Sequence, residues 1–134
     1  MFNTSALIDE TNPLPVTAGS AASATATIPF SPASSDSGAI TLSGKAIGGV
    51  GVTAAPSSGH LGIKVSRDGG STYGILKSGG TVVAIAAAAG DDLSLSDYVL
   101  PLIGATHIKF FNCDASGTPA NQATADCTLK YGLG

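Results

Sequence analysis

The sequence predicts an all-β fold, an antiparallel β-sandwich or jelly roll over residues 39–134 preceded by an extended N-terminal arm over residues 1–38. Three observations carry this expectation. Short runs of alternating apolar and polar residues recur at the spacing of sandwich strands. The 18 glycines and 7 prolines in 134 residues disfavour a mainly helical chain. Residues 60–76 read as a β-hairpin, two strand-like runs around a glycine-rich turn. A chain of this length suits one domain with one modest core.

The arm is rich in Ser, Thr, Ala and Pro, and its apolar residues fall in small isolated groups: Leu7-Ile8, Leu14-Pro15-Val16 and Ile28-Pro29-Phe30. Pro13, Pro15, Pro29 and Pro32 remove backbone donors and fix φ, which disfavours a helix or central strand and suits an edge strand or polyproline-like path. Two readings stand side by side. One is a disordered terminus or simple edge strand; the other is a tether that lies along a partner and inserts Leu7, Ile8, Leu14, Val16, Ile28 and Phe30.

Residues 39–52 give one alternating strand and then a glycine-rich piece. Gly49-Val50-Gly51-Val52-Thr53-Ala54 fits the GxGxxA spacing of a dinucleotide-binding turn, but Pro56-Ser57-Ser58-Gly59 follows where that motif needs a helix. Glycines in a bent strand or loop are expected instead. In the hairpin, Leu61, Ile63 and Val65 alternate with Gly62, Lys64 and Ser66, then Arg67-Asp68-Gly69-Gly70 supplies turn chemistry before Tyr73, Ile75 and Leu76.

Lys77-Ser78-Gly79-Gly80 reads as a turn, and the apolar run Thr81–Ala86 as a core or interface strand buried on both faces. Asp91, Asp92 and Asp97 lack the EF-hand pattern and read as a solvated turn. Tyr98–Ile103 reads as a short helical turn ended near Pro101. A strand at Thr106–Asn112 and a polar connection over 114–122 lead to a closing strand over 123–131. There Ala123, Ala125, Cys127, Leu129 and Tyr131 share one face.

Ser66-Arg67-Asp68-Gly69-Gly70-Ser71-Thr72-Tyr73 resembles the Asp-box, whose pattern is Ser-x-Asp-x-Gly-x-Thr-aromatic. The resemblance implies a fold element rather than a catalytic one: Ser66, Asp68 and Thr72 tie the turn, Gly69 and Gly70 bend it, and Tyr73 packs beneath. A single copy in a short chain excludes a propeller.

Composition bounds the function. Charged residues make up 11% and hydrophobic ones 43%, so Ser, Thr, Gly and Ala must cover the surface, which protects it poorly against association. A neutral extracellular module is the competing explanation. A net charge of -3 with scattered Lys and Arg gives no footprint for nucleic acid. No run is long enough to span a bilayer, and the first ten residues lack a positive n-region and an apolar run, so a cytoplasmic origin is expected. No catalytic, metal or cofactor site is expected: no Ser sits in a GxSxG elbow, and His60 and His107 lack the spacing of a metal pair. Without Trp, only Tyr73 and Tyr98 remain as stacking platforms for a glycan. Cys113 and Cys127 are placed near the facing ends of adjacent strands and are expected as thiols.

The Ser/Ala/Thr-rich arm, the Asp-Gly-Gly-Ser-Thr-Tyr hairpin, Ile108-Lys109-Phe110-Phe111 and the alternating last strand together resemble small virion proteins of tailed bacteriophages, over the region from about Ile40 onward. The resemblance implies a non-enzymatic capsid decoration or cement protein, made in the host cytoplasm and carried on the virion. Its partners are then the major capsid protein or another virion protein and further copies of itself, commonly as a trimer, with no nucleic acid or membrane. A neck, collar or tail subunit shares the same features. A glycan-binding β-sandwich module is the alternative from another class.

Overall fold

The computed structural model describes residues 23–134. In chain order its strands are β1 (Ala24–Ile28), β2 (Ile40–Thr41), β3 (Ile47–Ala54), β4 (His60–Ser66), β5 (Gly74–Ile75) and β6 (Lys77–Ser78). They continue as β7 (Thr81–Val82), β8 (Ile85–Ala86), β9 (Asp92–Ser94), β10 (His107–Cys113) and β11 (Cys127–Leu133), with a 3-10 turn at Ser96–Tyr98. The fold is an all-β antiparallel sandwich. Among the described residues one sheet has the order β9-β3-β11-β1, the other β2-β10-β4-β5 with β8 also on β4, and β6 and β7 form a small hairpin.

Alternation decides what each strand buries. Ala26 and Ile28 of β1, Ile47, Val50 and Val52 of β3, and Cys127 and Leu129 of β11 meet Ile40, Leu61, Ile63, Ile108 and Phe110 of the second sheet in one core. Gly48 and Gly49 are exposed, and the glycine-rich segment is a full central strand between β9 and β11, with irregular register against β11.

Several expectations need correction. Residues 24–28 form the edge strand that one reading of the arm allows, and so belong to the sandwich rather than to an arm ending at 38: β1 pairs with β11 from Ile28↔Cys127 to Ala24↔Tyr131. Ile28 is fully buried and holds the core, so it is not available for docking. Phe30, two residues on, is 43% exposed. Leu7, Ile8, Leu14 and Val16 lie outside the described residues. The expected strand at 81–86 is instead two two-residue strands with Val83 buried in the core between them and Thr81 and Ala86 exposed, because β7 pairs with β6 whereas β8 pairs with β4. The closing strand starts at Cys127 rather than Ala123, which is exposed with Ala125. Cys113 and Cys127 fall on different sheets, not on neighbouring strands.

The β4–β10 pair is the spine of the second sheet, in unbroken register from His60↔Cys113 to Ser66↔His107. Ile108 and Phe110 face the first sheet, so Phe111 stands on the opposite face, opposite Gly62. Phe111 is nevertheless fully buried. Its ring occupies the space where a side chain at position 62 would stand, with ring atom Cε2 only 2.7 Å from where a Cβ would be. Lys64 reaches over the same ring, its Nζ 5.5 Å from the centroid, and pairs with Asp36 at 2.8 Å. The segment carrying Asp36 lies along the edge of β10: Ser37 donates its amide to Phe110 O, and Asn112 donates its amide to Ser35 O.

A buried polar network closes the His60–Cys113 end. Asn112 Oδ1 accepts from Ser58 N at 2.9 Å while its Nδ2 donates to Ala120 O at 2.9 Å, and Gln122 Oε1 accepts from Ser57 N at 2.9 Å. Each amide thereby satisfies backbone groups of loops that have no ladder partner, which is why both can be buried.

Gly62→Ala is expected to lower unfolding free energy by about 1–3 kcal/mol through overpacking, and Phe111→Ala by about 3–5 kcal/mol through lost burial. In the Phe111→Ala background, Gly62→Ala should cost much less than alone, which a denaturant-based double-mutant cycle measures.

Candidate interaction site

At the opposite end of the spine, β4 runs into the turn of residues 66–73. Gly69 and Gly70 take φ of 79° and 90°, a region that a Cβ disfavours. Asp68 Oδ1 accepts from Ser66 Oγ at 2.8 Å and from Thr72 N at 3.0 Å, and Oδ2 accepts from Thr72 Oγ1 at 2.6 Å. Ser66 Oγ in turn accepts from Gly70 N at 2.8 Å. The Thr72 hydroxyl and amide, then the Ser66 hydroxyl, hold the Asp68 carboxyl at about 2 against an ordinary 3.8. The carboxylate is committed to its own turn. Tyr73 is half-buried beside it, and Lys109 Nζ sits 4.5 Å from its ring centroid.

A second turn of the same kind escaped the sequence reading. Asp114 Oδ1 accepts from Ser116 N at 2.9 Å, Ser116 Oγ at 2.8 Å and Thr118 N at 3.0 Å, and these bonds lower its carboxyl below the usual range. The signal was present as Asp114-Ala115-Ser116-Gly117-Thr118, an acid followed by Ser, Gly and Thr.

Arg67 is the other residue missed. Its guanidinium leaves the turn to donate Nη1 to Ile103 O and Nη2 to Pro101 O, both at 2.6 Å. These carbonyls end the tightly turned segment 96–104, where a cation with a planar fork satisfies two of them at once. The segment so held is apolar and outward facing. Leu100 is 77% exposed, Ile103 66% and Val99 37%. Beside it lies a cleft of about 160 Å³ lined by Leu42, Ile47, Val99, Leu102, Ile103 and Ala105, with Lys45 also in its wall. A space of roughly this size, 150 Å³, admits a benzene-sized apolar group.

The remaining candidates do not converge. His60 and His107 stand at opposite ends of the spine, six register positions apart, about 20 Å at strand rise, too far to share an ion. Asp91 accepts from Ala88 N at 2.8 Å within its own turn, and Asp92 lies in β9. Among the described residues no group of three or more His, Cys, Asp or Glu is placed to hold a metal. Cys113 and Cys127 are free, buried thiols, and burial pushes each up to about 11. No family model matches the chain, and neither a curated protein nor a solved structure shows significant similarity to it.

Two outcomes follow from these environments. Because the folded Asp68 carboxyl lies below its ordinary value, its stabilisation is complete above about pH 4 and is lost as pH falls through about 2. Asp68→Ala should therefore lower the melting temperature by a few degrees at pH 7, and calorimetry should show that difference narrowing between pH 4 and pH 2. The thiols should resist alkylation in the native protein at pH 8, and intact mass should show both modified once denaturant is added without reductant.

Proposed function

We propose that the chain is a non-enzymatic structural subunit of a virion, most specifically a capsid decoration or cement protein that oligomerises, as a trimer, on the phage head. The observation that carries the reading is the outward-facing Val99, Leu100 and Ile103 of the 99–103 segment, fixed by Arg67 on an all-β body. A surface with 11% charged residues in the chain offers little to offset such a patch, so contact with another protein is its physical outlet. The Asp68 carboxylate supports the same reading, because a group saturated by its own turn is not spare for a substrate. In this proposal the sandwich makes the subunit contacts, the 99–103 segment meets the lattice, and the N-terminal arm adds to attachment to the major capsid protein or another virion protein.

Leu100→Asp/Ile103→Asp should leave the melting temperature within a few degrees of the parent, since both side chains are largely solvated. It should weaken co-sedimentation with undecorated capsids by about ten-fold or more, the effect of losing roughly 1.4 kcal/mol of contact. Light scattering of the parent should report an oligomer. A monomer that ignores capsids and instead binds defined sugars on a glycan array would overturn the reading in favour of a glycan-binding module.

A further inference from the structure

The apolar cleft sits where the described chain begins. Strand β1 starts at Ala24, opposite Tyr131; Tyr131 pairs with Val50, and Leu133 pairs with Ile47, a residue of the cleft wall. The backbone of Ala46, also in the wall, exchanges both hydrogen bonds with Gly134, at 2.8 and 2.9 Å. The starts of β1 and β3 and the end of β11 therefore share one end of the sandwich with the cleft. From Ala24 to β3 is two strand spacings, about 10 Å, whereas the sixteen residues from Ile8 to Ala24 reach up to about 50 Å when extended.

The occupant is then a matter of chemistry. The cleft wants aliphatic groups, and Lys45 on its wall forms no ion pair among the described residues. Within residues 1–22 only Leu7-Ile8-Asp9-Glu10 places two aliphatic side chains directly beside two carboxylates. We propose that Leu7 and Ile8 of the same chain pack into the cleft between Leu42–Ile47 and Val99–Ala105, with the carboxylates of Asp9 and Glu10 facing Lys45. Tethering makes this an intramolecular event, so a small contact is enough to keep it filled. The arm and the 99–103 segment then form one continuous face. The inference does not depend on the virion reading, since it concerns the isolated protein.

The test uses the full chain with methyl-labelled Leu, Ile and Val. Contacts between the Leu7 and Ile8 methyls and those of Val99 or Leu102 are expected by NMR. Leu7→Asp/Ile8→Asp should raise hydrogen exchange of amides 99–105 by about ten-fold while leaving the β4–β10 amides unchanged. Lys45→Glu should raise it too, and Asp9→Lys/Glu10→Lys in the Lys45→Glu background should restore protection. Unchanged exchange in both variants overturns the proposal. So do contacts made by Leu14 and Val16 instead, and so do contacts seen only between differently labelled copies in a mixed sample. Capsid co-sedimentation is read separately, so failure here and failure of the virion reading are distinguishable.

Discussion

The packing of the Phe111 ring against Gly62 is the contact on which the second sheet depends. A strand face turned away from the core ordinarily carries side chains from both partners, yet here one partner supplies a ring and the other supplies none. That arrangement brings a large apolar group against the backbone at Gly62, buries it completely, and leaves Lys64 to cover it with a charge paired to Asp36. The same residues recruit the 34–37 segment to the edge of β10, which extends the sheet where β2 stops after two residues. A sheet made of short strands thus acquires a second small core outside the main one.

Polar closure follows the same economy at both ends of the spine. Asp68 completes the turn after β4 and Asp114 the turn after β10, each by collecting amides and hydroxyls within four residues of itself. Asn112 and Gln122 close the connections between strands that no ladder reaches. With so few ionic side chains in the chain, buried backbone at these loops is satisfied by the amides of Asn112 and Gln122, and the exposed turns by carboxylates that bond their own neighbouring residues, rather than by salt bridges.

Arg67 joins this architecture to the exposed apolar segment at 99–103. It sits between Ser66 and Asp68, so the turn that fixes those two residues also fixes the direction of the guanidinium. The guanidinium then holds the carbonyls of Pro101 and Ile103, and Val99, Leu100 and Ile103 are presented outward while Leu102 packs against the core. The exposed apolar segment is thus held by a charged residue at two points, and the neighbouring cleft, which Val99, Leu102 and Ile103 also line, continues it.

The class of fold was legible because its determinants are local. Alternation in residues 60–66 and 127–131 and the Gly69-Gly70 turn follow from side-chain period and φ alone, and neither depends on which strand lies alongside. The Ser66, Asp68 and Thr72 hydrogen bonds also arise within a span of seven residues. What only the tertiary structure decided is everything set by pairing across long separations. An edge strand is one of two readings open for the arm, and Ala24–Ile28 takes it because Cys127–Tyr131 offers a ladder about a hundred residues later. The eight residues of β3 read as bent strand or loop because glycine has no side chain to show its period, and pairing between β9 and β11 decides for the strand, with an irregular register against β11. Arg67 could not be placed because its acceptors are carbonyls more than thirty positions away, and a backbone carbonyl leaves no trace in a sequence.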